Sequence, residues 1–239
     1  MKISRTVLRG EWRSNALFLP DSEANVGRQL FAHADIGTNK AITLVNRINA
    51  YFGLDWIARP SAFTSPAYFD NLVISCVDTR KARKEIWEGI HKESLYWLDT
   101  GNGNHTGQAI LGHTAFHRAS WPMRNKHVLL PTAYDLFPEL LDDRIPDDDT
   151  TPSCSLAIAL EKQDLMVNQT VATHALELVW QLYRNRMLSH HGFFFDCSAF
   201  RLTPLPVDKE IWKRYLQQAK NYQHLQQAKN YQPFSTRTA

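Results

Sequence analysis

The sequence predicts an α/β protein with a Rossmann-like, mostly parallel sheet flanked by helices. Two observations favour this class. Short apolar runs rich in β-branched residues alternate with longer segments of helical periodicity along the chain. Such alternation is typical of sheets whose strands are connected by helices. The chain has 239 residues, of which 44% are hydrophobic, and this supplies enough apolar side chains for one sizeable core.

The clearest elements lie in the first half of the chain. Apolar residues between positions 40 and 52 recur with the spacing of a helix. Residues 72–77 (Leu-Val-Ile-Ser-Cys-Val) form a run typical of a buried parallel strand. The basic segment from Arg80 to Lys92 predicts a helix, for which Asp78 or Thr79 is a suitable N-cap.

The second half continues the alternation. Two strands are predicted at 95–98 and 107–111, on either side of a turn-rich loop. Residues 131–153 hold prolines and an acidic run, which indicates an exposed crossover or linker. Residues 156–188 predict a helix, and a short strand follows at 193–195. Five apolar residues share one face of that helix: Val171, Ala175, Leu178, Val179 and Leu182.

We divide the chain into three parts. Residues 1–20 follow no regular pattern and form an atypical N-terminal segment, residues 21–207 form the main domain, and residues 208–239 form a polar helical tail. Within the tail, the eight residues that begin at Leu216 recur word for word from Leu225. A duplication within a polar helix is the simpler interpretation, and a helix that binds a partner is the alternative.

Composition excludes several classes of protein. A net charge of +3 does not by itself imply nucleic-acid binding, and no apolar run approaches the roughly 20 residues of a membrane-spanning helix. The N-terminus has no signal-peptide pattern. Three cysteines do not make a disulfide framework and fit a reducing compartment. We therefore expect a cytoplasmic protein that binds neither nucleic acid nor a membrane. Because no Cys-x-x-Cys pair is present, we expect no structural zinc.

A first group of candidate site residues holds two positive charges about one loop apart. Arg28 lies in the segment Asn-Val-Gly-Arg-Gln (25–29), and Lys40 opens the first predicted helix. An Arg and a Lys placed in this way can clamp a polyphosphate, and the start of a helix also attracts phosphate. Taken singly, each residue is equally well explained as an ordinary exposed charge.

A second candidate is Asp78, which follows the predicted strand at 72–77. A carboxylate at the carboxyl end of a strand points into the ligand crevice of an α/β sheet, where it can hold Mg²⁺ against phosphate oxygens. The alternative role for Asp78 is the N-cap of the helix that follows, and the two roles are compatible.

The cysteines provide a third candidate. Cys154 lies between the acidic run and the long helix, where a helix N-terminus would lower the pKa of a thiol and the nearby acids would raise it. Cys154 is thus either a catalytic nucleophile or an idle thiol. Cys76 lies inside a predicted strand and is expected in the core, and Cys197 is isolated.

Together these segments resemble the ThiF/MoeB/HesA family, whose members resemble ubiquitin-activating enzymes. The resemblance covers roughly residues 20 to 200 and is closest to the ThiF proteins of PRTRC systems, which are associated with plasmids. It rests on segments that occur in the family's order: Asn25-Val-Gly-Arg28-Gln29, Asp35-Ile-Gly-Thr-Asn-Lys40-Ala41, Cys76-Val-Asp78-Thr-Arg80, Asp99-Thr-Gly-Asn-Gly-Asn-His-Thr-Gly-Gln108 and Pro152-Ser-Cys154-Ser-Leu156.

The resemblance implies an adenylation enzyme. ATP and Mg²⁺ would be its cofactors, with the nucleotide held by Asn25, Arg28, Gln29 and Lys40, and with Asp78 as the magnesium-linked acid. Arg28, Asp78 and Cys154 would take part in catalysis, and no catalytic role falls to Asp99. The substrate would be the C-terminus of a small ubiquitin-like or sulfur-carrier protein, and a homodimer is implied because relatives usually dimerise.

The sequence departs from the family in one respect. The family begins with a strand and a Gly-x-Gly-Gly-x-Gly loop that seats the nucleotide, and no such loop precedes Asn25. We interpret the chain as an N-terminally truncated member that lacks the first strand and the glycine loop. The alternative function is therefore a non-catalytic protein that binds a partner without ATP turnover. An NAD-dependent oxidoreductase is disfavoured because the Gly-x-Gly-x-x-Gly fingerprint is absent.

Overall fold

A computed structural model of the protein describes residues 31–59, 63, 71–118, 128–147 and 164–230. Within these ranges the chain forms five strands and five helices, with short 3-10 turns at His33–Asp35, Phe116–Arg118 and Pro138–Leu141. In chain order they are α1 (Lys40–Phe52), β1 (Leu72–Cys76), α2 (Arg80–Ile90), β2 (Tyr96–Asn102), β3 (Thr106–His113), α3 (Ala133–Leu136), α4 (Val167–Asn185), β4 (His190–Asp196), β5 (Arg201–Pro206) and α5 (Lys209–Asn230).

The five strands form one sheet in the order β1-β2-β3-β4-β5. The predicted α/β class, a sheet with flanking helices, is confirmed. The strand directions differ from the expectation of a mostly parallel sheet, because within the described residues only β1 and β2 run parallel. The other three pairs are antiparallel. The physical reason lies in the connections: β2 and β3 are joined by a turn of three residues, which permits only an antiparallel pair.

This topology brings the ends of several strands to one edge of the sheet. Strands β1, β2 and β4 run in the same direction, so their carboxyl ends lie at the same edge as the first residues of β3 and β5. We call this the carboxyl edge. In open α/β sheets, ligands bind at this edge.

Helices cover both faces of the sheet. On one face, α2, α3 and α5 pack over a core that includes Trp97, Ile110 and Trp212. On the other face, α4 packs over Leu98, Leu111 and Phe193. The inward side of α4 is formed by Val167, Val171, Ala175 and Leu178, which confirms the stripe predicted for this helix.

The prediction of an exposed crossover or linker at 131–153 is partly wrong. Thr132, Ala133, Leu136 and Leu141 are buried, so the first part of this segment belongs to the core. The packing is tight at Gly112, where an added Cβ would clash with the backbone of Thr132. The apolar residues of this first part are too closely spaced to show a helical period. The prediction therefore followed the prolines and acids, which indicate an exposed segment. Residues 148–153 lie outside the described residues.

The end of the chain contributes more to the core than its polar sequence suggests. Strand β5 was not predicted, and it extends the sheet beyond β4. Trp212, near the start of α5, is fully buried and donates a hydrogen bond from Nε1 to Nε2 of His191, at 2.9 Å. The predicted domain limits at residues 20 and 207 stay predictions. The absence of a first strand also stays a prediction, because residues 1–30 lie outside the described residues.

In the part of the chain that the structure describes, no helix is both long enough and apolar enough to span a membrane.

Candidate active site

The candidate site is built at the carboxyl edge, where β1 ends and α2 begins. Four residues make the connection: Cys76 closes β1, Val77 is buried, Asp78 is exposed, and Thr79 is the N-cap of α2. Because β1 and β2 are parallel, with Cys76 opposite Thr100, the end of β2 lies directly beside this turn.

The N-terminus of α2 is capped without Asp78. The hydroxyl of Thr79 accepts a hydrogen bond from the backbone N–H of Ala82, at 3.2 Å. A carboxylate oxygen of Asp147 accepts one from the N–H of Arg80, at 2.9 Å, and also pairs with the Arg80 guanidinium at 3.0 Å. Of the two caps proposed from the sequence, Thr79 is therefore the one used. The carboxylate of Asp78 forms no hydrogen bond or ion pair within the described residues and is available to a ligand.

The electrostatics of Asp78 link it to Lys40. Burial raises the pKa of the Asp78 carboxyl, the charges of Lys40 and Arg83 oppose this rise, and the charge of Asp147 adds to it. The side chain is exposed although many protein atoms surround it. The charge of Lys40 thus acts on the ionisation of Asp78.

Local structure fixes Lys40 at the first position of α1. The side chain of Asn39 caps the helix by accepting hydrogen bonds from the N–H groups of Ala41 and Ile42. Gly37 has a φ of 88°, a conformation that favours glycine and that turns the chain into the helix. The ammonium of Lys40 lies 5.7 Å from the ring centroid of Phe31.

Asp35, from the same predicted motif, is engaged in holding this loop. It accepts hydrogen bonds from the N–H of Ala32 and from Arg47, each at 2.6 Å. The backbone hydrogen bond from Ala32 lowers the pKa of Asp35, with Arg47 also lowering it and burial opposing both. The carboxylate therefore supports the approach to α1 and leaves the ligand role to Lys40.

A buried ion pair lies beneath the carboxyl ends of β1 and β2. The Nε of Arg83 donates to Oδ1 of Asp99 at 2.9 Å, and both side chains are almost inaccessible to solvent. The same guanidinium donates to the carbonyl oxygens of Val77 and Thr100, at 3.3 Å and 3.2 Å. Arg83 thus links the residue that follows β1 to Thr100 of β2 and holds the backbone immediately before Asp78.

Polar residues of β1 and β2 provide further hydrogen bonds around Asp99. Its Oδ1 accepts a second hydrogen bond from the hydroxyl of Ser75 at 2.8 Å, and that hydroxyl accepts one from the indole N–H of Trp97. The other carboxylate oxygen, Oδ2, is buried and has no hydrogen-bond partner within the described residues. Burial raises the pKa of Asp99, and the charge of Arg83 opposes the rise.

The prediction that Cys76 lies in the core is wrong. The sequence placed it in the core, but its side chain is exposed at the end of β1, on the opposite face of the strand from Ser75. Burial by surrounding atoms raises the pKa of the Cys76 thiol, a hydrogen bond with Thr100 lowers it, and the charges of Asp99 and Asp78 raise it further. The strand ends at Cys76, one residue before the predicted limit.

Of the predicted site residues, the structure describes Lys40 and Asp78, and the charge of Lys40 acts to lower the pKa of Asp78. The other candidates, Asn25, Arg28, Gln29 and Cys154, lie outside the described residues, and their roles stay predictions. Sequence reasoning missed Arg83 and Asp147. Arg83 carried one usable signal, since it lies four residues after the cap of a helix whose inner face is otherwise apolar. Asp147 carried none, because it is 67 residues from the helix end that it caps.

Metal binding by side chains alone is not supported in this region. Among the described residues, no group of three or more His, Cys, Asp or Glu side chains is arranged to hold a metal ion. The site does fit Mg²⁺ bound jointly with phosphate, since this ion usually takes one or two carboxylates and completes its shell with water and substrate oxygens. Asp78 is the available carboxylate for such an ion.

Comparisons with known proteins give a likeness of fold. No protein-family profile matches the sequence, and no curated protein matches it. Among solved structures, a crystal structure of PaaA has a TM-score of 0.53 and 11% identity over 79% of this chain and 62% of that chain. A structure of E. coli MccB with MccA-N7isoASN has a TM-score of 0.48 and 11% identity over 78% and 54% of the two chains, which is too weak to support a conclusion. This chain therefore shares the fold of PaaA and spans about three fifths of its length.

Proposed function

We propose that this protein uses Mg-ATP to adenylate the C-terminal carboxylate of a small ubiquitin-like or sulfur-carrier protein. One observation carries the proposal: Asp78 is exposed at the carboxyl edge, is free of the capping role, and has a carboxylate whose ionisation is influenced by the positive charge of Lys40. The choice of reaction rests on the sequence motifs, whose order resembles that of the ThiF/MoeB/HesA family and is closest to the PRTRC group. The likeness of fold to PaaA is compatible with the proposal.

Each residue has a separate task in this proposal. Lys40, together with Arg28, binds the phosphates, and Asn25 and Gln29 hold the rest of the nucleotide. Asp78 binds Mg²⁺, which neutralises negative charge on the phosphates when it is present. Arg83 is a positioning residue, since its hydrogen bonds to the carbonyl groups of Val77 and Thr100 hold the turn that presents Asp78.

The reaction balances without a net proton transfer. A carboxylate oxygen of the carrier attacks the α-phosphorus of ATP, the bond from that phosphorus to the bridging oxygen breaks, and pyrophosphate leaves with the electron pair. The products are an acyl-adenylate and pyrophosphate. Since no group of the protein must form a covalent bond in this step, positioning and stabilisation of charge supply most of the catalysis.

A second step is proposed for Cys154. Its thiolate would attack the acyl carbonyl of the adenylate and release AMP, leaving the carrier as a thioester on the protein. This step predicts an adduct with the carrier that is cleaved by hydroxylamine or by excess thiol and that is lost in Cys154→Ala, while pyrophosphate formation is retained in that variant.

Calorimetric titration of Mg-ATP into the full chain tests the nucleotide site. We expect a micromolar Kd, which Lys40→Ala weakens at least tenfold because one phosphate-binding charge is lost. Asp78→Asn should reduce the affinity to that measured with ATP and no Mg²⁺. Lys92→Ala removes an exposed lysine just after the far end of α2 and should leave binding unchanged.

Pyrophosphate exchange with candidate carrier proteins tests the reaction. Exchange that depends on the carrier and on its free C-terminal carboxylate would support adenylation. A chain that melts cooperatively but does not bind Mg-ATP would overturn the proposal. In that case the alternative, a protein that binds a partner without ATP turnover, would remain, and carrier binding without ATP would be the measurement to make.

A further inference from the structure

The outward side of α4 carries a stripe of large apolar side chains. Leu176, Trp180 and Tyr183 lie on the helix and Met187 lies just beyond it, and they are 60%, 51%, 52% and 79% exposed. Their spacing of four, three and four residues puts them on one side of the helix, away from the side that packs on the sheet. A helix with two apolar sides needs two partners, and the sheet covers only one of them.

The charges beside this stripe have a symmetric arrangement. Glu177 and Arg184 lie on the same flank of α4, at equal distances along the chain from the midpoint between Trp180 and Gln181. Neither forms an ion pair within the described residues. Glu177 accepts a hydrogen bond from Gln181 at 2.9 Å, and the Arg184 guanidinium lies 5.8 Å from the Trp180 ring centroid.

This arrangement is self-complementary for antiparallel helices. A two-fold axis beside Trp180 reverses the direction of the second helix and keeps each flank next to the same flank of its copy. Glu177 of one chain then faces Arg184 of the other, and the pair occurs twice. In a parallel pair about a two-fold axis, this flank would lie against the opposite flank of the copy, and Glu177 could not face Arg184. The charge pattern therefore selects both the partner, which is a second copy, and its orientation.

We propose that the protein forms a homodimer through the outward side of α4, with the two helices antiparallel about a two-fold axis beside Trp180. The apolar stripe forms the centre of the interface, and the two pairs of Glu177 and Arg184 form its rim. A homodimer was implied by the family resemblance alone, and the surface responsible for it is assigned here from the exposure and charge of α4.

The area is sufficient for a specific contact. Large apolar side chains bury roughly 150–250 Å² each when fully covered, so the exposed parts of the stripe supply on the order of 400 Å² per chain. Leu165, which is 47% exposed, extends the stripe towards the start of the helix. With the polar rim, the total approaches the roughly 1,200 Å² at the lower end of stable interfaces.

Charge reversal tests the proposal in the full chain. Sedimentation velocity over about 1–100 μM should show a dimer for the wild type. Glu177→Arg and Arg184→Glu should each raise the dimer Kd at least tenfold, because both pairs become repulsive. The double variant Glu177→Arg/Arg184→Glu restores opposite charges and should recover most of the affinity. Trp180→Glu should give a monomer with a cooperative melt, since the side chain is half exposed in one chain.

The control is Arg214→Glu, an exposed charge reversal on α5 that should leave the dimer intact. A wild-type chain that is monomeric at 100 μM would overturn the proposal, and the stripe would then be covered by another segment of the chain or by a different protein. A dimer that withstands both single reversals would also overturn it, because the interface would lie elsewhere. The outcome is independent of ATP binding, so it can be separated from the outcome for the proposed function.

Discussion

Two buried polar pairs lie on the same face of the sheet and differ in how fully they are satisfied. His191 and Trp212 are completely buried, and each polar atom of the pair has one partner. The ring of His191 accepts from Trp212 through Nε2 and therefore donates from Nδ1 to the carbonyl of Leu111, at 2.8 Å. Asp99 and Arg83 are equally buried, but Oδ2 of Asp99 has no hydrogen-bond partner within the described residues.

The difference corresponds to position in the fold. The pair of His191 and Trp212 fastens α5 to the centre of the sheet, far from the carboxyl edge, and a neutral pair with complete hydrogen bonding is stable there. The pair of Asp99 and Arg83 lies under the turn that presents Asp78. A charged pair with one open oxygen is a poor way to stabilise a core. Its retention is explained by the hydrogen bonds through which Arg83 holds both strand ends.

The largest effect is expected when the charged pair is broken. Arg83→Met leaves Asp99 as an uncompensated buried carboxylate, and we expect the free energy of unfolding to fall by about 3–5 kcal/mol. Urea denaturation at neutral pH would measure the loss.

The double variant Arg83→Met/Asp99→Asn removes the charge that was left unpaired and should recover part of that stability. Recovery of stability without recovery of Mg-ATP affinity would show that Arg83 positions Asp78 as well as balancing Asp99. A loss below about 1 kcal/mol in Arg83→Met would contradict the buried-charge argument.

The neutral pair predicts a dependence on pH. Burial lowers the pKa of His191 to about 4, and its hydrogen bond with Leu111 opposes the shift only in part. The unfolded chain takes up this proton near pH 6.5, whereas the folded chain does so only near pH 4. The stability contributed by neutral His191 is therefore complete above pH 6.5 and is lost as the pH falls towards 4, by up to about 3 kcal/mol.

The comparison that isolates this effect is the wild type against His191→Gln, since Gln can both donate and accept in place of the ring. The stability difference between the two chains should shrink as the pH falls from 6.5 to 4. The test uses the stability difference between the two chains because Asp135 changes the stability of both chains with pH in the direction opposite to His191. Burial raises its pKa to about 6, so its folded form gains a proton first and is favoured as the pH falls. A constant difference across this range would show that His191 is not held neutral.

The smallest effect on stability is expected at Cys76. Chemical labelling of this thiol also tests whether the end of β1 is open to solvent. Its thiol is open to solvent, whereas Asp99 on the opposite face of the strand ends is closed. Iodoacetamide should therefore label Cys76 in the folded chain, more slowly than in the denatured chain because its pKa is raised. Peptide mapping by mass spectrometry would measure the rate, with Cys76→Ser as the control for assignment.

Mg-ATP should slow the labelling of Cys76 if the nucleotide occupies the same crevice. Labelling that occurs only after unfolding would place the thiol in the core, as the sequence had suggested.

Much of the fold follows from local patterns in the sequence. Helix α1 spans the residues that were predicted, because its apolar period and its Asn39 cap are both local signals. The strand before Asp78 and the inward stripe of α4 were found for the same reason. These elements set the position of Asp78 at a strand end and of Lys40 at a helix start, which are the two predicted site residues that the structure describes.

What the sequence determined by itself is the set of elements and the residue types available at their ends. Tertiary structure alone decided the strand directions, the capping of α2 by Asp147, the burial of the Arg83–Asp99 pair and the opening of Cys76 to solvent. It also decided that α4 has an apolar side left uncovered by the described residues. Each of these depends on contacts between residues distant in the chain, and such contacts leave no periodic trace in the sequence.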